Sequence, residues 1–253
     1  MRYLVLALAL AMPLVGWLSN SGWLGPTNGE ISNRYPTLIV AAGYAFAIWG
    51  PIFLLDGVFG IAQAGVRAPD ARLRRIRVLT AIGFALTSLW MVVFTLQWFW
   101  LALAVIWGSL ACLLGAAWLA SHTSQHRRGP WWQWLPLSLH AGWVSLAVFL
   151  NVAQVVVAFE LLSIERMLPW TLVLFALAGL LLLAVVVKLR GNPWYALAAV
   201  WGLLGVHARQ QASDLPGADM AANVALVLAV LVALTALVAG AMGWRERRKL
   251  RTG

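Results

Sequence analysis

LTAIGFALTSLWMVVFTLQWFWLALAVIWGSLACLLGAAWLA, residues 79–120, contains no acidic, basic or histidine side chain. The stretch is long enough for two bilayer crossings, since one crossing takes about 20 apolar residues at a rise of about 1.5 Å each. Its only polar interruption near the middle is Gln97, in the tip Gln97-Trp98-Phe99-Trp100. A tip that short makes the two crossings antiparallel neighbours. Comparable apolar runs lie at 3–19, 38–64, 77–97, 99–120, 135–158, 168–188, 193–210 and 221–244. The expected fold class is therefore an all-α membrane protein, a polytopic bundle of about eight transmembrane helices. The composition, 62% hydrophobic and 10% charged, excludes a soluble domain.

Charge orients the bundle. With the N-terminus and Arg2 in the cytoplasm and one crossing per run, the cytoplasmic loops hold Arg67, Arg72, Arg74, Arg75, Arg77, Arg127, Arg128, Lys188 and Arg190. The tail adds Arg245, Arg247, Arg248, Lys249 and Arg251, and only Arg34, Arg166 and Arg209 fall outside. Basic residues are retained in the cytoplasm during insertion, so this split predicts a multi-pass protein of the cell (inner) membrane with both termini cytoplasmic. Glu30, Glu160, Glu165, Asp214 and Asp219 fall on the outer side. The net charge of +10 thus reflects topology, and no nucleic-acid partner is expected. Membrane lipid is a partner, with the basic tail placed to touch anionic headgroups. The first run, with Arg2 ahead of Ala7, Ala9 and Ala11, also has features of a signal peptide.

The single cysteine, Cys112, excludes an internal disulfide. The sequence has no Cys/His metal spacing, phosphate-binding loop, dinucleotide fingerprint or nucleophile elbow. No metal, required cofactor or catalytic residue is expected, and the chain does not read as an enzyme. Asn20, Ser21, Gly22, Gly25, Pro26, Asn28 and Gly29 give the loop 20–37 turn chemistry, and no helix is expected there. Small residues at helical spacing (Ser138, Gly142 and Ser145; Gly108, Cys112, Gly115 and Ala116; Ala236, Gly240 and Gly243) predict close helix approach, within the chain or in a homodimer.

Of 16 tryptophans, Trp17, Trp23, Trp98, Trp100, Trp131, Trp132, Trp134, Trp170, Trp194 and Trp244 fall near run ends, where indoles sit at headgroup level. Trp49, Trp90, Trp107, Trp143 and Trp201 lie deeper, where an indole either packs or stacks on a flat ligand. Two ionisable groups also lie within runs. Asp56 sits about 12 Å from the inner end of its run and His140 about 8 Å deep. Acids at such depth face the bundle interior with a partner, so Asp56 and His140 form a candidate intramembrane polar pair, with a water-reaching Asp56 and a ligand or proton role as alternatives. His207 lies near the opposite end of the bundle, so one haem iron cannot bridge it to His140. His122 and His126 lie in a cytoplasmic loop.

Several deep residues fall into a pattern. The second run reads Tyr44-Ala45-Phe46-Ala47-Ile48-Trp49, then Phe53 and Gly57. The third reads Thr87-Ser88-Leu89-Trp90, then Phe94. The fifth reads Pro136, then Trp143 through Ala147, then Asn151. Their order and spacing resemble the tryptophan-rich sensory protein family (TspO/MBR, or translocator-protein family), and the segment from Gly29 to Trp49 resembles a longer bacterial branch of it. The resemblance covers residues 1–160. Ala41 and Ala42 stand where the family has paired prolines, and Thr87 where it has Asn. The resemblance implies a five-helix membrane core over 1–160, with 161–253 supplying three additional helices and the basic tail. It also implies retention of the first helix, frequent homodimers, and a pocket beneath the first loop for a planar hydrophobic ligand such as a porphyrin, tetrapyrrole or haem-like molecule. Carried over by motif, the ligand-binding lining is Phe46, Trp49, Phe53, Trp90, Phe94, Trp143, Ala147 and Asn151. Asn151 would either orient the ligand or hydrogen-bond between helices.

The function expected is an integral membrane binding or sensory protein for such a ligand. One alternative is a proton-coupled small-molecule transporter using Asp56. Gly50-Pro51 interrupts one helix, but the last three runs show no matching break. The other is a membrane-embedded enzyme acting on a lipid or isoprenoid. For that chemistry the sequence offers only Asp56, His140, Asn151 and Gln154, spread over distant levels.

Overall fold

The computed structural model describes residues 1–122 and 129–252, with side chains through Gly243. His126, Arg127 and Arg128 lie outside the described residues, as do the side chains of Trp244 and the basic tail. Regular structure among the described residues is helical: α1 (Arg2–Asn20), α2 (Asn28–Arg34), a 3-10 turn (Gly43–Ile48), α3 (Trp49–Gly65), α4 (Ala71–Thr95), α5 (Phe99–Ser121), α6 (Trp131–Ala158), α7 (Met167–Lys188), α8 (Pro193–Gln211) and α9 (Ala218–Thr252). Seven segments are long and apolar enough to cross a membrane: α1, the 3-10 turn with α3, α4, α5, α6, α7 and α9. The remaining long helix, α8, matches α1 in length but carries His207, Arg209, Gln210 and Gln211 in its last turns, which lowers its hydropathy. The chain is thus a polytopic membrane helical bundle.

Two sequence expectations are corrected. The loop 20–37 contains a helix, α2, started by a capping box. Thr27 accepts from the Glu30 backbone N–H, and the Glu30 carboxylate accepts from the Thr27 N–H. This reciprocal cap outweighs the Asn and Gly turn signals on either side. The run 38–64 is not one helix from its start. Regular structure begins at Gly43, and residues 38–42 precede it without a helical ladder. Their backbone groups are bonded instead by α8: the Ala42 N–H donates to Gly205 O at 2.9 Å, and the Gln210 side chain donates to Thr37 O and Val40 O.

Helix α6 is the axis of the bundle. It is buried on all sides from Pro136 to Phe149, with α3, α5, α7 and α8 packed around it. A helix apolar all round belongs in a core or in lipid, and here neighbours decide between the two. Helix α1 packs on α3 and α4, and α9 packs on α7 and α8. Capping side chains knit the end of the bundle opposite α2. Asn192 accepts from the Trp194 and Tyr195 N–H groups and starts α8, while its Nδ2 donates to Ser121 Oγ and Ser138 Oγ. Buried Arg77 on α4 donates to the carbonyls of Gln63 and Val66, satisfying the end of α3, and Gln63 donates onward to Arg2 O.

Gly205 lets α8 approach the 3-10 turn. A Cβ there would lie 2.6 Å from Ala45 Cβ. Gly205→Ala is therefore expected to push residues 41–46 away from α8 and to speed hydrogen exchange of their amides several-fold. Gly57→Ala, whose Cβ would meet open space, should leave that exchange unchanged. Parallel hydrogen-exchange measurements on the two variants read the difference.

Candidate functional site

Three of the five deep tryptophans meet, one from each of three helices. Trp49 opens α3, Trp90 lies on α4 and Trp143 on α6. Trp49 stacks near Trp90 with ring centroids 6.2 Å apart and meets Trp143 edge-on at 6.2 Å. Phe53 stacks on Trp49 at 5.4 Å, Phe94 tilts against Trp90 at 5.2 Å, and Phe46 meets Trp143 edge-on at 5.8 Å. Offset and edge-to-face geometries are the favoured ones for aromatic pairs. Trp107 and Trp201 do not join this cluster. They are 40% and 37% exposed, Trp107 lying edge-on against Phe149, and Trp201 donating its indole N–H to Ala45 O at 2.8 Å.

The cluster borders two chambers. The inner one is small, ≈ 30 Å³, and is lined by Phe46, Trp90, Phe94, Trp143, Ala147 and Asn151, with Asn28 and Ser32 of α2 across from them. The outer one is ≈ 410 Å³, with Phe46, Trp49 and Phe53 in its wall beside Gly16, Asn28 and Met91. Phe46 and Asn28 line both, so the Phe46 ring stands between the chambers. Every lining residue named from the sequence thus borders one chamber or both, and α2 covers them. The outer volume falls within the usual range of small-molecule sites, about 300–1,000 Å³.

The polar residues divide into two separate sets. Asn151 accepts from the Trp90 indole N–H at 2.9 Å and donates to Ala147 O at 2.9 Å. Of its two expected roles, the structure displays the interhelical bond, which fixes the Trp90 ring plane. Gln154, one turn along α6, lines the inner chamber as well, whereas Asp56 and His140 do not, so the four polar residues form no single convergent set. The other set is deeper. His140 Nδ1 lies 2.8 Å from Asp56 Oδ2, with both side chains fully buried. The imidazole stacks on Phe84 and meets Trp49 edge-on at 5.6 Å. Its Nε2 lies 3.4 Å from Thr87 Oγ1, which is hydrogen-bonded to Ser109 Oγ at 2.8 Å. Neither Asp56 nor His140 borders the chambers. The pair positions Trp49 through the imidazole edge.

The α2 cover carries one titratable clasp. Hydrogen bonds from the Thr27 backbone and hydroxyl, then the nearby Arg34 charge, hold the Glu30 carboxyl below its ordinary value. A depressed carboxyl contributes stability above its unfolded pKa and loses it as pH falls through the folded value. The cover is therefore expected to loosen only in acid, below the usual carboxylate pKa of about 4.3. Glu30→Gln should flatten that dependence. Hydrogen exchange of the α2 amides against pH measures both.

Among the described residues no group of three or more His, Cys, Asp or Glu side chains is placed to hold a metal ion. The chain matches a family model, described as TSPO-like protein, over residues 2–238. No curated protein and no solved structure matches it. The family match runs past residue 160 and takes in α7, α8 and most of α9.

Proposed function

The chain belongs to the TSPO-like protein family, and we propose that it is a membrane binding and sensory protein for a flat hydrophobic ligand of porphyrin or tetrapyrrole type. The observation that carries this reading is the convergence of Trp49, Trp90 and Trp143 with Phe46, Phe53 and Phe94 on two adjoining chambers beneath α2. Indole and phenyl faces stack on a planar macrocycle, and Ala147 leaves room beside Trp143. A ligand entering from the outer chamber displaces the Phe46 ring and reaches the inner one. The arginine distribution supports an inner-membrane setting with both termini cytoplasmic. The largely exposed face of α9 offers a surface to lipid or to a second copy.

Titration of purified protein with protoporphyrin IX tests the proposal. Saturable quenching of tryptophan fluorescence is expected, and linear, non-saturating quenching would assign the effect to the detergent phase. A second reading, proton-coupled transport through Asp56, draws on the buried Asp56–His140 pair and its link to Thr87 and Ser109. It requires solute flux in proteoliposomes that disappears in Asp56→Asn.

A further inference from the structure

The inner chamber contains two carboxamides with unmet hydrogen-bonding capacity. Asn28 Oδ1 and Gln154 Nε2 are both buried without a partner. Asn28 comes from α2 and Gln154 from α6, and both side chains line the chamber. The neighbouring polar groups are already paired: Asn151 with Trp90 and Ala147, the Ser32 hydroxyl with Asn28 O, and Thr37 O with Gln210. Leaving a buried donor and a buried acceptor unmet is unfavourable for each, so two facing one cavity mark a place where an occupant supplies the missing bonds. Charge narrows the chemistry of that occupant. No Asp, Glu, Lys, Arg or His lines either chamber. An ionised group entering them would lose its hydration and meet no counter-charge.

We infer that the ligand of this cleft presents an uncharged group bearing both a donor and an acceptor, such as a primary amide, a lactam or a hydroxyl, to Asn28 and Gln154, and that the cleft selects against carboxylates. This rests on the ligand-binding reading above and adds the polarity of the ligand's head. Asn28 and Gln154 become specificity residues, while the aromatic residues set the flat body.

The test compares three forms of one macrocycle, protoporphyrin IX as its dicarboxylic acid, its dimethyl ester and its diamide, each titrated by tryptophan quenching at neutral pH. The diamide should bind about tenfold tighter than the dicarboxylate, and several-fold tighter than the ester, which lacks the donor. In Asn28→Ala the advantage of the diamide over the ester should shrink to about twofold or less, with ester affinity unchanged, because only the diamide brings a donor for Asn28 Oδ1. Neither Asn28 Oδ1 nor Gln154 Nε2 has a partner to lose, so both variants keep the fold. Gln154→Leu is the second variant and should weaken the diamide and the ester alike, several-fold, because both lose the bond that Nε2 donates to their carbonyl. Equal binding of the three forms, tighter binding of the dicarboxylate, a diamide preference over the ester that survives Asn28→Ala, or unchanged binding of both in Gln154→Leu would overturn the inference and leave the two amides holding a trapped water. If none of the three forms quenches the wild-type protein, the cleft reading itself fails and this inference falls with it.

Discussion

Trp143→Leu is expected to weaken protoporphyrin IX binding by about tenfold or more, the largest effect of any single change in the aromatic cluster. Trp143 is 2% exposed and holds Phe46 and Trp49 edge-on at 5.8 and 6.2 Å. It also lines the inner chamber beside Ala147. Removing the indole deletes one stacking face and frees two neighbouring rings. Aromatic pairs contribute about 0.5–1.5 kcal/mol each beyond burial, and about 1.4 kcal/mol corresponds to tenfold in affinity. The same change costs stability, because truncating a buried Trp leaves a void. In lipid that penalty comes from lost dispersion contacts, since hydrocarbon outside is as apolar as the core. The two effects are separable. Trp143→Phe keeps a ring against Phe46 and should retain most of the binding, whereas the Leu variant should lose it even where its melting temperature lies well above the assay temperature. Quenching titrations run beside thermal unfolding in detergent distinguish the outcomes, and unchanged quenching in Trp143→Leu would move the ligand out of the cleft.

His140→Leu is expected to destabilise the bundle more than Asp56→Asn. Asp56 Oδ2 has His140 Nδ1 as its partner, and Asp56 Oδ1 has none. Phe84 and Trp49 pack against the imidazole, so its loss leaves a polar carboxyl facing apolar walls. Breaking a buried pair from one side costs about 3–5 kcal/mol. Asn at position 56 keeps an oxygen to accept from His140 and should cost less, about 1–2 kcal/mol. The double variant Asp56→Leu/His140→Leu should recover much of the loss, because no polar partner is left stranded. Unfolding free energies of the wild type, Asp56→Leu, His140→Leu and the double variant form a cycle, and additive losses would exclude a direct pair energy. His140→Leu should also lower ligand affinity, since the imidazole edge holds Trp49.

The crossings are legible in the sequence because lipid imposes a rule that no tertiary contact can override. Each crossing must keep its backbone bonded internally, so the apolar runs map closely onto the long helices, and Pro193 begins α8 as the first helical residue of its run. Gln97, the polar residue of the short tip, ends the α4–α5 turn at positive φ, and its side chain accepts from Arg34 and Tyr35. The missed α2 was legible in Thr27-x-x-Glu30, a capping signal outvoted by glycines and asparagines around it. Which helix sits in the middle was not legible. Lipid and protein core are equally apolar, so α6 carries no polar stripe to mark an outward face. For the same reason Trp107 and Trp201 resembled Trp143 in depth while facing outward. The aromatic convergence became legible only through ordered motifs from three separate runs.

The segment 37–42 has little backbone ladder of its own. Its carbonyls at Thr37 and Val40 and its Ala42 N–H are taken up by Gln210 and Gly205, residues translated far later. A nascent chain that has emerged only through α6 leaves those peptide groups unmet in an apolar setting, each worth several kcal/mol. Ala45, beside Phe46, is likewise held through its carbonyl by Trp201 of α8. Final seating of this segment is therefore expected only after α8 inserts, so that the protein matures as one unit rather than as a finished core with later additions.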